Sequence, residues 1–218
     1  MQQEDTRALA SEDDSKAPID GRLRRSERSR QLIGDALFEL IGEGDLSPSA
    51  QRVADRAGLG IRTVFRLFAD MDALYATVDA RLRREIEPLL SSGPDLQAPM
   101  AERAEVLVAD RTTLFEQAGV YLRSTVRHRS RSAFLSAQYR KHVARLRRRL
   151  LCWFPELQSA PAALIDALEQ ATSFEAWDRL RTDQRLSRAR ARAAVLTAVQ
   201  ALLASLEDVE CVGGGTPE

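Results

Sequence analysis

The segment Leu46–Phe68, LSPSAQRVADRAGLGIRTVFRLF, has the pattern of two short helices joined by a tight turn. Ser47-Pro48 predicts a helix start, since serine can cap free amides and proline at the first helical position has no amide to satisfy. Gly58 stands where a helix commonly ends in the left-handed conformation that glycine adopts at low cost. A second short helix is then expected from about Ile61.

These two short helices are predicted to pack at an angle as a helix-turn-helix. Val53, Ala54 and Ala57 form a narrow apolar seam on the first helix, and Val64 fills the angle between the two. In such an arrangement the second helix lies in the major groove of DNA. The alternative is an ordinary helical hairpin inside an all-helical core, because alanine and glycine at this spacing are frequent by chance.

The composition is that of a soluble globular protein with an uneven charge distribution. The chain has 218 residues, 44% hydrophobic and 29% charged, and its formal net charge is zero. Residues 1–20 are acidic, whereas residues 22–30 are basic and so place a positive patch just ahead of the helix-turn-helix. Length alone allows one large domain or two small ones.

The sequence carries no recognisable metal, disulfide or membrane signature. Its two cysteines, Cys152 and Cys211, lie far apart, and its two histidines have no companions at metal-ligand spacing. The acidic N-terminus is unlike a signal peptide, and the apolar run Ala193–Leu206 is too short to span a bilayer comfortably. We therefore expect a cytoplasmic protein without a metal, a cofactor or a membrane partner.

Helical periodicity continues along the chain, and the sequence indicates no strand beyond Pro99. The predicted fold class is all-α with about nine helices. Apart from the two short helices, the expected spans are Arg24–Glu43, Asp70–Pro88, Ala101–Gln117, Val120–Arg129, Ser132–Trp153, Pro161–Arg181 and Ser187–Leu206.

Four segments follow from this pattern. Residues 1–20 are expected to be a disordered acidic tail, because they combine low hydrophobicity with many acids. Residues 21–69 are expected to form an N-terminal three-helix domain that carries the helix-turn-helix for DNA binding, and residues 70–207 a C-terminal helical domain. The glycine-rich residues 208–218 are expected to be a flexible tail.

Residues 24–82 resemble the DNA-binding domain of the TetR family of transcriptional regulators. The resemblance lies in the spacing of four helices and in the segments Val53–Gly58 and Thr63–Phe68. The C-terminal region is similar to the family in helical layout and in the Phe174–Arg181 pattern. Four positions depart from the family pattern, with Gly60 for a capping serine, Phe65 for a tyrosine, Leu67 for a histidine and Met71 for a lysine that often touches phosphate.

The resemblance implies a dimeric repressor that binds a palindromic operator and is released by a small-molecule effector, whose identity is unknown. It assigns effector binding and dimerisation to residues 70–207. The apolar faces of 161–181 and 187–206 are too extensive for one partner each, which suggests pairing with a second copy. Burial within one subunit is the alternative, and the resemblance favours the homodimer. Two recognition helices would then meet half-sites one DNA turn apart, ~34–36 Å.

Eleven residues are candidates for DNA contact. Arg62, Thr63 and Arg66 are expected in the groove, since arginine can bind guanine through two hydrogen bonds. Phe65 would pack against a sugar or a methyl group, or else in the core. Residues at the start of the first short helix would face phosphates, and arginines of the basic patch would anchor the protein or form a solvated charge run. These are Ser47, Ser49, Gln51 and Arg52, and Arg24, Arg25 and Arg28.

The C-terminal region offers weaker candidates. Tyr121–Arg149 holds ten basic residues and no acid, which indicates either a cationic lining for an anionic effector or, as we favour, an outer face paired with acids of neighbouring helices. Six aromatic residues are candidates for effector contact, although aromatics at helical spacing are more often core. They are Phe115, Tyr121, Phe134, Tyr139, Trp153 and Trp177.

Two other function classes compete with a ligand-responsive repressor. A helical enzyme or small-molecule-binding protein without a DNA role would need catalytic or phosphate-binding motifs, and the sequence has no glycine-rich phosphate loop and no Ser/His/Asp set. The chain is therefore not expected to be an enzyme. A module that uses a degenerate motif to bind a protein partner is favoured slightly by Phe65, Leu67 and Met71.

Overall fold

The computed structural model describes residues 17–90 and 93–213, with side chains described for 21–90 and 93–206. Across those ranges the chain forms nine α-helices and no strand, which confirms the predicted all-α fold. They are α1 (Ala17–Gly42), α2 (Ala50–Ala57), α3 (Ile61–Leu67), α4 (Met71–Ile86), α5 (Met100–His128), α6 (Ala133–Trp153), α7 (Ala162–Ala171), α8 (Phe174–Asp178) and α9 (Arg188–Gly213). Short 3-10 helices span Glu87–Leu90 and Pro155–Ser159, and a π-helical turn continues α8 over Arg179–Asp183.

Both ends of the helical region extend beyond the predicted limits. Helix α1 begins at Ala17 rather than at Arg24, so residues 17–20 of the predicted acidic tail are helical. Helix α9 continues to Gly213 because no helix-breaking residue follows Leu206 before the glycines. Residues 1–16 and 214–218 of the two predicted tails lie outside the described residues.

The predicted break between Gln117 and Val120 was wrong, because α5 is continuous from Met100 to His128. Gly119 is buried in the middle of this helix, and a Cβ atom built on it would lie 3.8 Å from the ring of Phe174. This glycine therefore lies inside a continuous helix, and a Cβ atom there would make only an ordinary contact with Phe174.

The predicted single helix Pro161–Arg181 was also wrong, because it divides into α7 and α8. Helix α7 ends at Ala171, and Ser173 begins the next helix as an N-cap whose Oγ accepts the amide of Ala176 at 3.1 Å. A serine cap of this kind satisfies an amide that would otherwise be unpaired at a new helix start.

The chain divides into two compact units. Among the described residues, the first contains the chain up to Leu40 together with Pro48–Val78, and the second contains Ile41–Ser47 together with the chain from Asp79 onward. The division falls inside α4, nine residues beyond the expected boundary at 69/70. The reason is that Leu74, Tyr75 and Val78 of α4 are buried and belong to the first unit.

In the second unit, the long helix α5 contacts α6, α8 and α9. Large side chains that are fully buried in this core include Leu107, Leu114, Trp153 and Phe154. The core also contains two arginines of α5, Arg103 and Arg111, which are almost completely buried.

One segment of the described chain, Arg188–Leu206 in α9, is long and apolar enough to cross a membrane by length and composition. This differs from the sequence expectation, which considered only the shorter run from Ala193. The core helix of a soluble protein can have the same length and apolar composition. One face of α9 is in the core of the second unit, through Ala191, Val195, Val199 and Leu203.

Candidate nucleic-acid interface

The corner between α2 and α3 is built by local hydrogen bonds. Ser49 is the N-cap of α2, and its Oγ accepts the amide of Arg52 at 3.3 Å, so the capping serine is Ser49 rather than the predicted Ser47. Gly58 ends α2 in the left-handed region with φ 66° and ψ 30°, as expected. The next amide, of Leu59, donates to the carbonyl oxygen of Ala54 at 3.0 Å and fixes the turn.

Helix α3 has a clear inner and outer face. Val64 and Leu67 are buried, whereas Arg62 and Arg66 are exposed one helical turn apart on the outer face. Phe65 is 62% exposed, which excludes the core position considered for it. Thr63 is half-buried. The outer face therefore carries two cations and an aromatic ring, and α3 itself contains no acid.

The polar residues at the start of α2 are at the surface. Ser47, Ser49, Gln51 and Arg52 are all exposed. The side-chain amide of Gln51 donates to Oδ1 of Asp55 at 2.7 Å, so this glutamine already has a partner within its own helix. These groups lie beside the amide end of α2, a place that favours a phosphate group.

The basic patch on α1 is only partly available to a partner. Arg24, Arg25 and Arg28 are exposed, and Nε of Arg25 donates to the carbonyl oxygen of Gly21 at 3.0 Å. The guanidinium of Arg30, in contrast, lies 5.6 Å from the centre of the Phe68 ring and so contributes to the packing of the first unit.

The second unit contains a cleft of about 260 Å³ beside α5, α8 and the π-helical turn. Phe115, Phe174 and Trp177 form its aromatic part, and Phe115 and Phe174 pack edge to face at 5.6 Å. Its polar part consists of Glu116, Arg123, Asp178, Arg181 and Thr182. Only Phe115 and Trp177 of the six aromatic candidates for effector contact line this cleft.

The charged groups of the cleft pair with each other. Nε of Arg181 donates to Oε1 of Glu116 at 2.8 Å, and Nη1 of Arg123 donates to Oδ1 of Asp178 at 2.7 Å. The hydrogen bond from Arg181 lowers the pKa of Glu116 below its usual value. Glu116 and Asp178 were not among the residues that the sequence singled out, because partners that are 55 and 65 positions apart leave no local signal.

The remaining aromatic candidates are not gathered in one place. Tyr139 is buried, its hydroxyl donates to Glu175 at 2.6 Å, and burial raises the pKa of that hydroxyl. Trp153 is buried, and the guanidinium of Arg149 lies 5.5 Å from its ring. Tyr121 and Phe134 are half-buried. Tyr139 and Trp153 are therefore core residues.

Five of the ten basic residues between Tyr121 and Arg149 form ion pairs with acids of other helical segments. These ion pairs, with N–O distances from 2.7 to 3.9 Å, are Arg123–Asp178, Arg129–Glu175, Arg145–Glu87, Arg147–Asp166 and Arg149–Asp110. This pattern agrees with the interpretation of this stretch as a charged face whose partners lie on neighbouring helices.

Comparison with known proteins gives a match in structure only. No protein-family model and no curated protein matches the chain. A crystal structure of a transcriptional regulator from Rhodococcus sp. Rha1 is similar with a TM-score of 0.62 and 18% identity, covering 81% of this chain and 96% of that one. At that identity the match demonstrates a shared fold, consistent with the resemblance to the TetR family. The chain thus has the fold of a transcriptional regulator of known structure.

Proposed function

We propose that this protein is a TetR-like transcriptional regulator that binds a palindromic DNA operator as a homodimer and is released from it by a small-molecule effector. It acts in the cytoplasm, without a cofactor and without enzymatic activity. The observation that carries the proposal is the outer face of α3, where Arg62 and Arg66 are exposed while Val64 and Leu67 anchor the helix. The fold shared with a transcriptional regulator supports it.

The outer face of α3 has the chemistry of direct base readout. An arginine can donate two hydrogen bonds to O6 and N7 of guanine in the major groove, and such a pair discriminates against the wrong base by ~1–3 kcal/mol. Arg62 and Arg66 are the two arginines of this face. Phe65, exposed beside them, has a ring that suits contact with a sugar or a thymine methyl group.

Phosphate contacts would come from α2 and α1. Ser47, Gln51 and Arg52 stand near the amide end of α2, and Arg24 and Arg28 are exposed on α1. Leu67 is buried and Met71 is half-buried, so neither replaces the phosphate contacts that the family has at those positions. The arginines of α1 would compensate, since each neutralised phosphate adds salt-sensitive affinity.

The dimer would form through α7, α8 and α9. The outer face of α9 carries small exposed residues, among them Ala194, Ala198 and Ala201, which allow another helix to approach closely. A cleft of about 480 Å³ is lined by Ala194 and Ala198 of this face and by residues of α7, α8 and the π-helical turn. Four of its ten lining residues are polar, namely Gln170, Glu175, Arg179 and Gln184. A second copy of the chain placed on this face would bury it.

The decisive experiment is selection of bound DNA. The purified protein is incubated with a random double-stranded library or with sheared genomic DNA, and bound fragments are sequenced after several rounds. The proposal expects a palindromic motif with half-sites about one helical turn apart. Enrichment by the wild type but not by Arg62→Ala/Arg66→Ala would support the α3 assignment. The control, Arg148→Ala, removes an exposed arginine of α6.

Two results would contradict the proposal. In the first, all fragments are retained equally and no sequence is enriched. A helical small-molecule-binding protein or a protein-partner module would then be the better interpretation. In the second, the Arg62→Ala/Arg66→Ala variant enriches the same motif as well as the wild type does. The protein would then bind DNA, but not through the outer face of α3.

A further inference from the structure

Two buried arginines on α5, two turns apart, have different partners. The side chain of Arg103 donates to the carbonyl oxygen of Trp153 at 2.7 Å and forms an ion pair with Glu156. Arg111 is also buried, with 3% of its surface exposed, and Nη2 donates to the carbonyl oxygen of Leu146 at 2.7 Å. Its Nε and Nη1 are buried and have no hydrogen-bond acceptor among the residues whose side chains are described.

An arginine in this state is energetically costly. A buried ionised group destabilises a protein by several kcal/mol unless an opposite charge or a set of hydrogen bonds compensates it. Burial and the nearby charge of Arg149 lower the pKa of Arg111 to about 9, so the guanidinium is still protonated at neutral pH. The Nε and Nη1 donors of Arg111 therefore still need hydrogen-bond acceptors.

The cations around Arg111 each have a carboxylate of their own. Arg145 pairs with Glu87 at 3.3 Å, Arg149 with Asp110 at 2.8 Å and Arg83 with Asp79 at 2.8 Å. Glu169 raises the pKa of Arg111, but no hydrogen bond or ion pair joins the two side chains. Within the described part of the chain, Arg111 is thus the one of these four arginines that has no carboxylate bonded to it.

His142 on α6 adds a further polar atom to this region. Its Nε2 is buried and, among the described side chains, has no hydrogen-bond partner. Burial together with the charges of Arg145 and Arg111 lowers the pKa of His142 to about 4, so the ring is neutral at pH 7 and can donate one hydrogen bond without adding a charge. Leu107 and Leu114 flank Arg111 one turn away on either side and are fully buried.

We propose that Arg111 and His142 form a binding site for the carboxylate of a small organic acid. A guanidinium binds a carboxylate through charge-assisted hydrogen bonds, and the available Nε and Nη1 donors of Arg111, which point in different directions, each offer one. The single charge of the Arg111 guanidinium matches a monoanion, and the flanking leucines match an apolar ligand body. That this ligand is the effector rests on the proposed function, whereas the binding itself does not.

The test measures ligand binding to the full-length protein in the absence of DNA. Melting temperature is followed against increasing sodium acetate, benzoate or octanoate, with sodium chloride holding the ionic strength constant and with inorganic phosphate as a second anion. The proposal expects a saturable rise in melting temperature with at least one carboxylate and none with chloride. No saturable rise with any of the three would overturn it, and a larger rise with phosphate would overturn the carboxylate assignment.

Arg111→Met is the variant that identifies the site. Methionine has a similar length without a charge, and replacing a buried ion by an apolar side chain is often neutral or stabilising, so this variant is expected to fold. It should lose the carboxylate response, with affinity reduced about tenfold or more. The exposed Arg148→Met is the matched control and should respond like the wild type. An undiminished response in Arg111→Met would overturn the proposal.

The Glu169→Gln variant distinguishes a ligand site at Arg111 from an internal ion pair between Arg111 and Glu169. If Glu169 moves to pair with Arg111, this variant should be less stable and no carboxylate should bind. The proposal expects tighter carboxylate binding by Glu169→Gln, because a nearby negative charge is removed. Carboxylate binding by a protein that selects no DNA would leave this site standing and refute the proposed regulator. DNA selection without carboxylate binding would support the proposed regulator and refute this site.

Discussion

The Nε2 atom of His128 on α5 lies 3.0 Å from the main-chain oxygen of Leu46. Because a carbonyl oxygen only accepts hydrogen bonds, this ring nitrogen carries the proton. The hydroxyl of Ser124, one turn earlier on α5, donates to the same oxygen at 3.0 Å. The two side chains therefore hold the segment Ile41–Ser47, which precedes α2, against α5 within the second unit.

Losing both of these donors is expected to cost more than losing either one alone. In Ser124→Ala or His128→Ala the oxygen of Leu46 keeps one donor, and each change should lower the free energy of unfolding by about 0.5–1.5 kcal/mol. The double variant leaves the oxygen without either side-chain donor, so its loss should exceed the sum. Urea unfolding at fixed protein concentration measures this. Thr125→Ala is the control, because its hydroxyl donates to Tyr121 inside the same helix. Strict additivity would contradict the shared acceptor.

The two exposed arginines of α3 are expected to contribute to operator affinity without supporting the fold. Arg62→Ala and Arg66→Ala should each weaken binding to the selected operator by about 1–3 kcal/mol and leave the melting temperature unchanged. Fluorescence anisotropy at one stated salt concentration measures the affinity. Arg148→Ala, which changes the net charge equally, should have little effect. Equal losses in all three variants would indicate a general charge effect instead of groove contact.

The left-handed corner at Gly58 gives a prediction about stability. A Cβ atom at this position would meet nothing within 4 Å, so the cost of Gly58→Ala comes only from its φ of 66°. That cost is about 1–2 kcal/mol, and Gly58→Asn should lose less because asparagine tolerates this conformation better. Thermal unfolding of both variants measures the difference. Equal stability of the glycine and alanine proteins would show that the corner does not need this conformation.

Local pattern was enough to predict the helix-turn-helix but not the arrangement of the second unit. The apolar positions of a seven-residue helix determine its inner face, so the exposure of Arg62 and Arg66 followed from spacing. The predicted break between Gln117 and Val120 was wrong, because an isolated glycine inside a helical pattern, here Gly119, is tolerated within a continuous helix. The burial of Arg111 had no signal either, since a lone arginine in an amphipathic helix is usually exposed.

The small-residue face of α9 is expected to be the dimer interface. Ala198→Arg would place a bulky charged side chain in the cleft that Ala194 and Val195 also line, and it should convert the proposed dimer to a monomer. Sedimentation velocity or light scattering gives the mass directly. The control is Ala144→Arg at an exposed position of α6, which should leave the mass unchanged. An unaltered dimer in Ala198→Arg would move the interface to another face.

The ion pair between Glu116 and Arg181 should make stability depend on pH in the acid range. Hydrogen bonding to Arg181 lowers the pKa of Glu116 in the folded protein below its usual 4.5, so the unfolded chain takes up this proton first as the pH falls. The stabilisation by the pair is therefore complete above the usual pKa and is lost as the pH falls through the lower, folded value. Glu116→Gln should remove this part of the acid sensitivity, whereas Glu105→Gln, at an exposed position of α5, should keep it. Urea unfolding followed by tryptophan fluorescence between about pH 7 and pH 3 measures it. If Glu116→Gln lost as much stability as the wild type over that interval, the pair would not be holding α5 to α8 and the π-helical turn.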